Sequence, residues 1–487
     1  MAKTTTTFVC QECGANFTKW SGKCFDCGAW NSISEFKVAK PTKGDRSAKG
    51  LGAGELNAGD LAAKSLSEFD ENGVGKGTRY SSGFSEADRV LGSGFLPGSL
   101  LLVGGEPGIG KSTLLLQFLG ALSAAGEDCL YISGEESGAQ VSARARRLGI
   151  TALDKLKFLS TASLETALAA VDTTAAKIVV VDSVQTLYSD AIESAAGTVS
   201  QVREITQNFL RAAKTKNIIA ILVGHVTKEG TVAGPRLLEH MVDGVFYFEM
   251  APSGGFRLLR GQKNRFGPTH EVAVFEMGSH GLRQVDNPSA RFLEERAKDT
   301  AGSSVVAHLE GSRPFLTEFQ SLTQKCHSGF PRRTVQGVDQ NRVSVLLAVI
   351  ERSLRYSFSD VDVYCKVASG ARLEEPAADL PVLTSLLSAA LDKPIPSNLI
   401  VMGEVGLGGE VRGVPGVGAR LMEARSVGID RAIVPASNLK EAKEVAGIRL
   451  ESISNIRQLK ELLAWPNKME KRPSKKEDPS QFEDLGF

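Results

Sequence analysis

The chain has 487 residues, 42% of them apolar and 23% charged, and its 57 Lys and Arg against 56 Asp and Glu leave a formal charge of +1. At roughly 100 to 200 residues per domain this is material for about three domains, and the composition excludes a disordered or fibrous chain. The near-neutral balance also excludes a whole-molecule field that gathers nucleic acid, so any such surface has to be a local patch. No apolar run approaches the roughly 18 residues of a membrane span, and MAKTTTTFVC carries no apolar h-region. A cytoplasmic protein with no membrane partner is expected.

In chain order, the first feature is a cysteine cluster. Four of the seven cysteines, Cys10, Cys13, Cys24 and Cys27, form C-x2-C-x10-C-x2-C. Disulfides do not persist in a reducing compartment, whereas two such knuckles present four thiolates tetrahedrally to one Zn2+. A structural zinc module over residues 1–36 is the expectation, with rubredoxin-like iron or redox thiols as the other readings. So short a segment has no core of its own, and metal binding would supply about 10 kcal/mol or more of its folding free energy. Trp20 and Trp30 flank the second knuckle and are expected to pack over the metal; partner contact or base stacking is the alternative. Cys129, Cys326 and Cys365 have no ligand at metal spacing and read as small buried hydrophobes. Residues 37–78 bring Lys37, Lys40, Lys43, Arg46 and Lys49 among Gly, Ala, Ser and Thr, a flexible basic linker.

At Ser99 a strand-like run, SLLLVGG, enters GEPGIGKST and then the helical pattern LLLQFLGALSAAG. This is a P-loop between a strand and a helix. Gly105, Gly108 and Gly110, with Glu106, Pro107 and Ile109 between them, let the backbone wrap so that successive N–H groups face phosphates. Lys111 reaches the terminal phosphates, and Ser112, followed by Thr113, offers a hydroxyl to Mg2+. ATP and Mg2+ are therefore the expected ligands. The apolar strand KIVVVDS places Asp182 for the Mg2+ shell, and CLYIS leads to Glu135 and Glu136. Glu135 is the expected general base, against the alternative that it caps the next helix, a role better suited to Glu136. NIIAILVG runs into His225, beside the strand of Asp182, where it could sense the γ-phosphate. The following VTKEGTVAGPRLLEH is rich in Gly and Thr, and its Lys228 and Arg236 are candidate DNA contacts on a nucleotide-gated loop.

The order P-loop, YISGEES, VVVDS, LVGH resembles a RecA-type ATPase core. KNRFGPTHEVAVFEM, from Lys263 to Met277, is similar to the segment of RecA-like and DnaB-like motors that carries a Lys-x-Arg finger. That resemblance implies that Lys263 and Arg265 reach the ATP of a neighbouring copy, completing a charge cage there; the alternative is a basic, DNA-facing ridge. After a polar connection at residues 284–302 an α+β pattern restarts, and Ala377 to Pro435 closely resembles the protease domain of Lon. In register, the Lon Gly-Pro-Ser-Ala-Gly element falls on Glu375 to Asp379, leaving Ala377 at the nucleophile, and the Lon lysine falls on Gly418. Neither residue supplies a nucleophile or a base, so peptidase activity is not expected unless Ser385 or Ser388 substitutes. What remains for such a domain is a collar closing an oligomer, with Arg313, Arg332, Arg333 and Arg342 as candidates to meet duplex phosphates.

Zinc knuckles, a RecA-like core with KNRFG and an inactivated Lon-like end, in this order, resemble the bacterial RadA (Sms) family of DNA repair proteins. The implied class is α/β, a RecA-like P-loop ATPase core at 79–285 with the N-terminal zinc-binding module and a C-terminal α+β Lon-protease-like domain at 286–465, followed by a disordered tail at 466–487. The implied activity is a DNA-dependent ATPase, a ring-shaped homohexamer that extends branches on single-stranded and branched DNA alongside RecA recombinase. A KaiC-like signalling or scaffold ATPase and an ATP-dependent protease are the other readings.

Overall fold

The computed structural model describes residues 4–10, 16–25, 28, 30, 33–39, 79–225, 237–251, 255–298, 300–326 and 329–465. The chain forms two compact units, Met1–Asp286 and Asn287–Phe487. At the N-terminus β1 (Thr4–Cys10) pairs antiparallel with β2 (Asn16–Phe17) and with β3 (Ile33–Ala39). Pairing in β3 continues to Ala39, past the point where the composition turns basic. Cys24 is buried, and the Gly28 N–H donates to its carbonyl at 3.0 Å, a turn that Gly28 makes with φ 76°. Cys13, Cys27 and the Cys10 side chain lie outside the described residues. Trp20 and Trp30 are both exposed, Trp20 donating from Nε1 to the Ile33 carbonyl at 3.0 Å and Trp30 lying under the Lys23 ammonium.

The nucleotide-site half of the first unit is a nine-stranded sheet. Its strands are β4 (Leu100–Gly105), β5 (Cys129–Ser133), β6 (Leu156–Ser160), β7 (Ile178–Asp182), β8 (Ile219–His225), β9 (Gly244–Met250), β10 (Phe256–Asn264), β11 (Val272–Gly278) and β12 (Gly281–Gln284). The order is β12-β11-β10-β9-β4-β8-β7-β5-β6, parallel from β6 to β9 and antiparallel from β9 to β12. β4, β5 and β7 are apolar and buried along their length because helices cover both faces. On one face pack α1 (Ser85–Leu91), α2 (Lys111–Ala124) and α3 (Gly138–Arg147), against Leu101, Val103, Tyr131 and Val180. On the other pack α4 (Leu164–Thr174) and α5 (Val199–Lys216), against Leu100, Leu102 and Val181. A short α6 (Leu237–Met241) precedes β9.

In the second unit β13 (Ser303–Glu310), β14 (Arg313–Lys325), β15 (Arg333–Gln336) and β16 (Val361–Val367) make a sheet in the order β13-β14-β16-β15. β17 (Leu399–Val401), β20 (Arg431–Pro435) and β21 (Arg449–Ile453) make a parallel one, and β18 (Glu404–Val405) pairs with β19 (Val411–Arg412). The stretch read from sequence as a connection contains α7 (Pro288–Leu293). Asn287 caps it by accepting from the Ala290 N–H at 2.8 Å, and Pro288 opens its first turn. The helices α8 (Gln340–Leu354), α9 (Asp379–Leu391) and α10 (Val417–Ser426) complete the cores.

The Lon-like register falls on the start of α9 and on α10. Ala377 is buried in apolar surroundings, and the Gly418 N–H donates to Glu441 at 2.9 Å. Two residues further on, Arg420 is fully buried. It grips Glu375 with two bonds of 2.6 Å and also donates to the carbonyls of Pro415, at 3.1 Å, and Ala307. Ser385 donates to the Gly302 carbonyl at 2.6 Å, and Ser388 accepts from the Gly302 N–H at 2.9 Å, so each seryl oxygen ties α9 to the residue just before β13. Arg342 is anchored likewise, on Asp379 at 2.5 Å and on the Glu375 carbonyl at 2.6 Å. Cys129 and Cys365 are buried as expected, whereas Cys326 is half-buried. Removing one partner of a buried, hydrogen-bonded ion pair strands the other charge. Glu375→Ala is therefore expected to destabilise the second unit by about 3 to 5 kcal/mol, read as faster amide exchange in peptides spanning 305–310 and 417–426 of the full chain, with exchange in β4 and β7 unchanged.

Candidate nucleotide site

Parallel pairing decides which residues meet. Gly105 is in register with His225 across β4 and β8, and Ser133 with Asp182 across β5 and β7. The carboxyl ends of four adjacent strands thus deliver the P-loop, Glu135, Asp182 and His225 to one edge of the sheet, where open α/β sheets hold ligands. Gly108 and Gly110 take φ of 77° and 112°, conformations that side-chain-bearing residues rarely adopt. Gly110 caps α2 with no side-chain bond, which leaves the first N–H groups of a 14-residue helix for an anion. At Gly105 a Cβ would lie 2.2 Å from the Phe248 carbonyl oxygen, so only glycine lets the loop leave β4 here. Arg257 donates to the Ile109 carbonyl at 2.8 Å, holding the loop from β10.

Lys111 is buried, and its ammonium donates to the carbonyls of Gly105 at 2.8 Å and Glu106 at 3.0 Å. Burial pushes its pKa down, opposed by the nearby carboxylates Asp182 and Glu135. The same ammonium lies 3.3 Å from His225 Nδ1. On its other side, His225 Nε2 is 3.6 Å from Glu135 Oε1. Glu135 also accepts from the Ser183 hydroxyl at 2.9 Å, and its side chain is 49% exposed, open to water. Glu136 behaves differently. It is engaged by both terminal nitrogens of Arg144 on α3, which ties it to the helix. The two neighbouring carboxylates are thereby sorted, one facing the cluster and one spent on structure.

Asp182 is buried at the end of β7 and accepts from the Tyr131 hydroxyl at 2.5 Å. Burial, and then the Asp182 charge, holds the Tyr131 phenol well above its ordinary pKa, so it stays a donor. Ser112 lies in the first turn of α2, next to Lys111, and its hydroxyl with the Asp182 carboxylate is the kind of all-oxygen pair that suits Mg2+. Tyr131, Arg144 and Arg257 are absent from the sequence reading. A tyrosine inside an apolar strand reads as core, and nothing in the spacing of the arginines marks their partners.

Lys263 and Arg265 sit where β10 ends. The Lys263 ammonium donates to the carbonyls of Glu239 at 2.7 Å and Val242 at 2.9 Å, and burial followed by the Arg265 charge pushes its pKa down. The Arg265 N–H donates to the Asp243 carbonyl at 3.0 Å. Its guanidinium is 56% exposed and 3.5 Å from the Asp243 carboxylate. Within one copy, both are held by residues 239–243 rather than by the P-loop. Between them Asn264 donates to the Val90 carbonyl at 3.2 Å, and Arg79 donates to the Phe266 carbonyl at 2.8 Å. A Cβ on Gly267 would lie 2.6 Å from Gly92 Cα. Lys228 and Arg236 lie outside the described residues.

Residues 79–231 match the AAA domain family, residues 344–464 the Lon protease (S16) C-terminal proteolytic domain, and residues 8–35 the rubredoxin metal binding domain. The chain is 46% identical to the DNA repair protein RadA of Bacillus subtilis over 94% of its own length and 98% of that protein's. It is 46% identical to the protein of the same name from Pseudomonas aeruginosa, over 94% and 98%, and 43% identical to that of Escherichia coli, over 90% and 94%. A solved structure of the RadB recombinase is 25% identical and covers 42% of this chain and all of its own, with a TM-score of 0.36. The geometry separates the two acids at the edge of the sheet. Glu135→Gln is expected to lower triphosphate hydrolysis by about 100-fold or more while keeping nucleotide affinity; Glu136→Gln should keep hydrolysis within a few-fold and instead raise amide exchange in α3.

Proposed function

The chain belongs to the RadA family of DNA repair proteins, a family of RecA-like ATPases, and we propose that it hydrolyses ATP at a seam between two copies and uses the cycle to move single-stranded DNA through recombination intermediates. The observation that carries this reading is the arrangement at the sheet edge. One copy brings the P-loop, an acid open to water and the His225 imidazole together, while the exposed guanidinium of Arg265 points to a use elsewhere.

The P-loop N–H groups and Lys111 bind the β- and γ-phosphates, which requires the ammonium to leave the carbonyls of Gly105 and Glu106 for the nucleotide. Ser112 and Asp182 would hold Mg2+; when bound it neutralises charge on the phosphate oxygens. Glu135 orients and deprotonates the attacking water. His225, between Lys111 and Glu135, feels both the phosphate side and the base, and the chain leads from it toward Lys228 and Arg236, the proposed DNA contacts. Arg265 and Lys263 of the neighbouring copy supply positive charge as the γ-phosphoryl group departs. A homohexameric ring satisfies every seam at once. In the N-terminal module Cys10, Cys13, Cys24 and Cys27 would hold Zn2+, and the burial of Cys24 with its Gly28 turn suits a metal knuckle.

Peptidase chemistry has no support. Alanine and glycine stand at the positions of the Lon nucleophile and base, and Ser385 and Ser388 are committed to the packing of α9. Single-stranded and branched DNA as substrates, RecA as the partner and the cytoplasm as the compartment belong to the same proposal.

The test is ATP turnover per copy, measured against protein concentration with and without oligonucleotide. Lys111→Ala should abolish turnover. Arg265→Ala should bind nucleotide normally and turn over about 1,000-fold more slowly, and mixing it with Lys111→Ala should restore part of the activity, because each variant then supplies the half that the other lacks. Full turnover in dilute single copies would end the shared-seam reading, and turnover indifferent to oligonucleotide would favour a scaffold ATPase. Oligonucleotide affinity should fall steeply between about 50 and 200 mM salt.

A further inference from the structure

The interior of β5 holds one polar group aimed at the nucleotide site. Tyr131 shares the α2 face of the sheet with Ser133 and, across the register, with Val180 and Asp182. Its ring is buried and stacks on Phe158, with centroids 6.2 Å apart and planes at 20°. Phenylalanine would serve that packing equally well. The hydroxyl is what packing does not require, since burying it unpaired would be costly. Its partner is Asp182 Oδ2, at 2.5 Å. The phenol therefore touches the carboxylate proposed above to hold the cation.

Resting on the ATPase reading, we infer that Tyr131 is a positioning residue of the cation site. Its hydroxyl commits one oxygen of Asp182 and presents the other to the cation or its waters. A bond from a neutral donor to a carboxylate is shorter and stronger than one between neutral groups, so the carboxylate is turned before any ligand arrives. It also keeps Asp182 from swinging onto the opposite charge nearby, the Lys111 ammonium, which is needed for phosphate. Partners behind metal ligands are commonly worth 10- to 100-fold in metal affinity.

The experiment uses the full chain and two probes, a fluorescent ATP analogue and Mn2+ followed by electron paramagnetic resonance in the presence of a non-hydrolysable ATP analogue. In Tyr131→Phe, binding of the fluorescent nucleotide in excess chelator should match wild type, which also shows that the variant is folded. The Mn2+ midpoint should rise about tenfold, and so should the Mg2+ concentration for half-maximal turnover, with kcat recovering at saturating Mg2+. In an Asp182→Asn background, adding Tyr131→Phe should move the midpoint no further. An unmoved midpoint, a kcat that stays low at saturating Mg2+, or an equal shift in the Asp182→Asn background would each overturn the inference. Wild-type protein that bound nucleotide indifferently to the cation and never hydrolysed it would defeat the ATPase reading itself, a separate outcome.

Discussion

The site depends on the parallel alignment of β4, β8, β7 and β5, which ends four strands at one edge. Side chains that are far apart in the chain, at 105–112, 131–135, 182–183 and 225, become neighbours because hydrogen-bond register leaves them no alternative. Buried on both faces, these strands cannot slip by one residue without turning one apolar face into the other's helices, so the register is strongly held. The same alignment creates the electrostatic problem of the site. A buried ammonium, an exposed carboxylate and a buried carboxylate share a small volume, and each is settled by a donor or acceptor from the adjacent strand. His225 Nδ1 meets the Lys111 ammonium, Ser183 donates to Glu135 and Tyr131 donates to Asp182. The charges are ordered before a nucleotide is present, and preorganised charge needs no rearrangement at the moment of reaction.

Much of this edge is legible in the sequence because strands advertise their ends. Apolar runs that stop at Asp182 or His225 announce both the strand and what it delivers, and a glycine-rich turn between a strand and a helix has few other uses. Tyr131 is illegible for the converse reason, since its apolar ring satisfies the strand pattern and only a register pairing reveals where the hydroxyl points. The distinction between Glu135 and Glu136 is legible only as a preference; Arg144, one helix further on, is what separates them. α7 is hidden among polar residues, although Asn287 before Pro288 is a helix start in miniature. A two-turn helix has too few apolar positions for periodicity to show, and the capping pair is the stronger signal.

The second unit shows what can replace a catalytic site. With alanine and glycine at the Lon positions, nothing there needs water or an open mouth. Nearby, Arg420 is fully buried and its guanidinium is matched by a carboxylate and two carbonyls. Such a pair adds little net stability over an apolar filling, but it penalises every packing that leaves the charge unmatched. Its natural use is to specify one arrangement of β13, α9 and α10. That suits a domain that keeps one shape, as the proposed collar would, and it is the opposite of the adaptable polar cluster that a working nucleophile requires.

The arginines of that unit sharpen the question of where DNA is held. Arg342 spends its guanidinium on Asp379 and two carbonyls, and Arg333 donates to the carbonyls of Phe358 and Val361. Their side chains cannot reach for a phosphate without abandoning those acceptors, and a charge already paired with a carboxylate attracts little at a distance. In a chain with a formal charge of +1, each basic group drawn inward must be replaced by others if a strand is to be gripped. In the ring proposed above, affinity for DNA would come from repetition of a modest basic patch, since copies in one ring would add their contacts along a single strand. The proposed hexamer would then serve twice, supplying a neighbour's arginine to the chemistry and a neighbour's basic groups to the electrostatics.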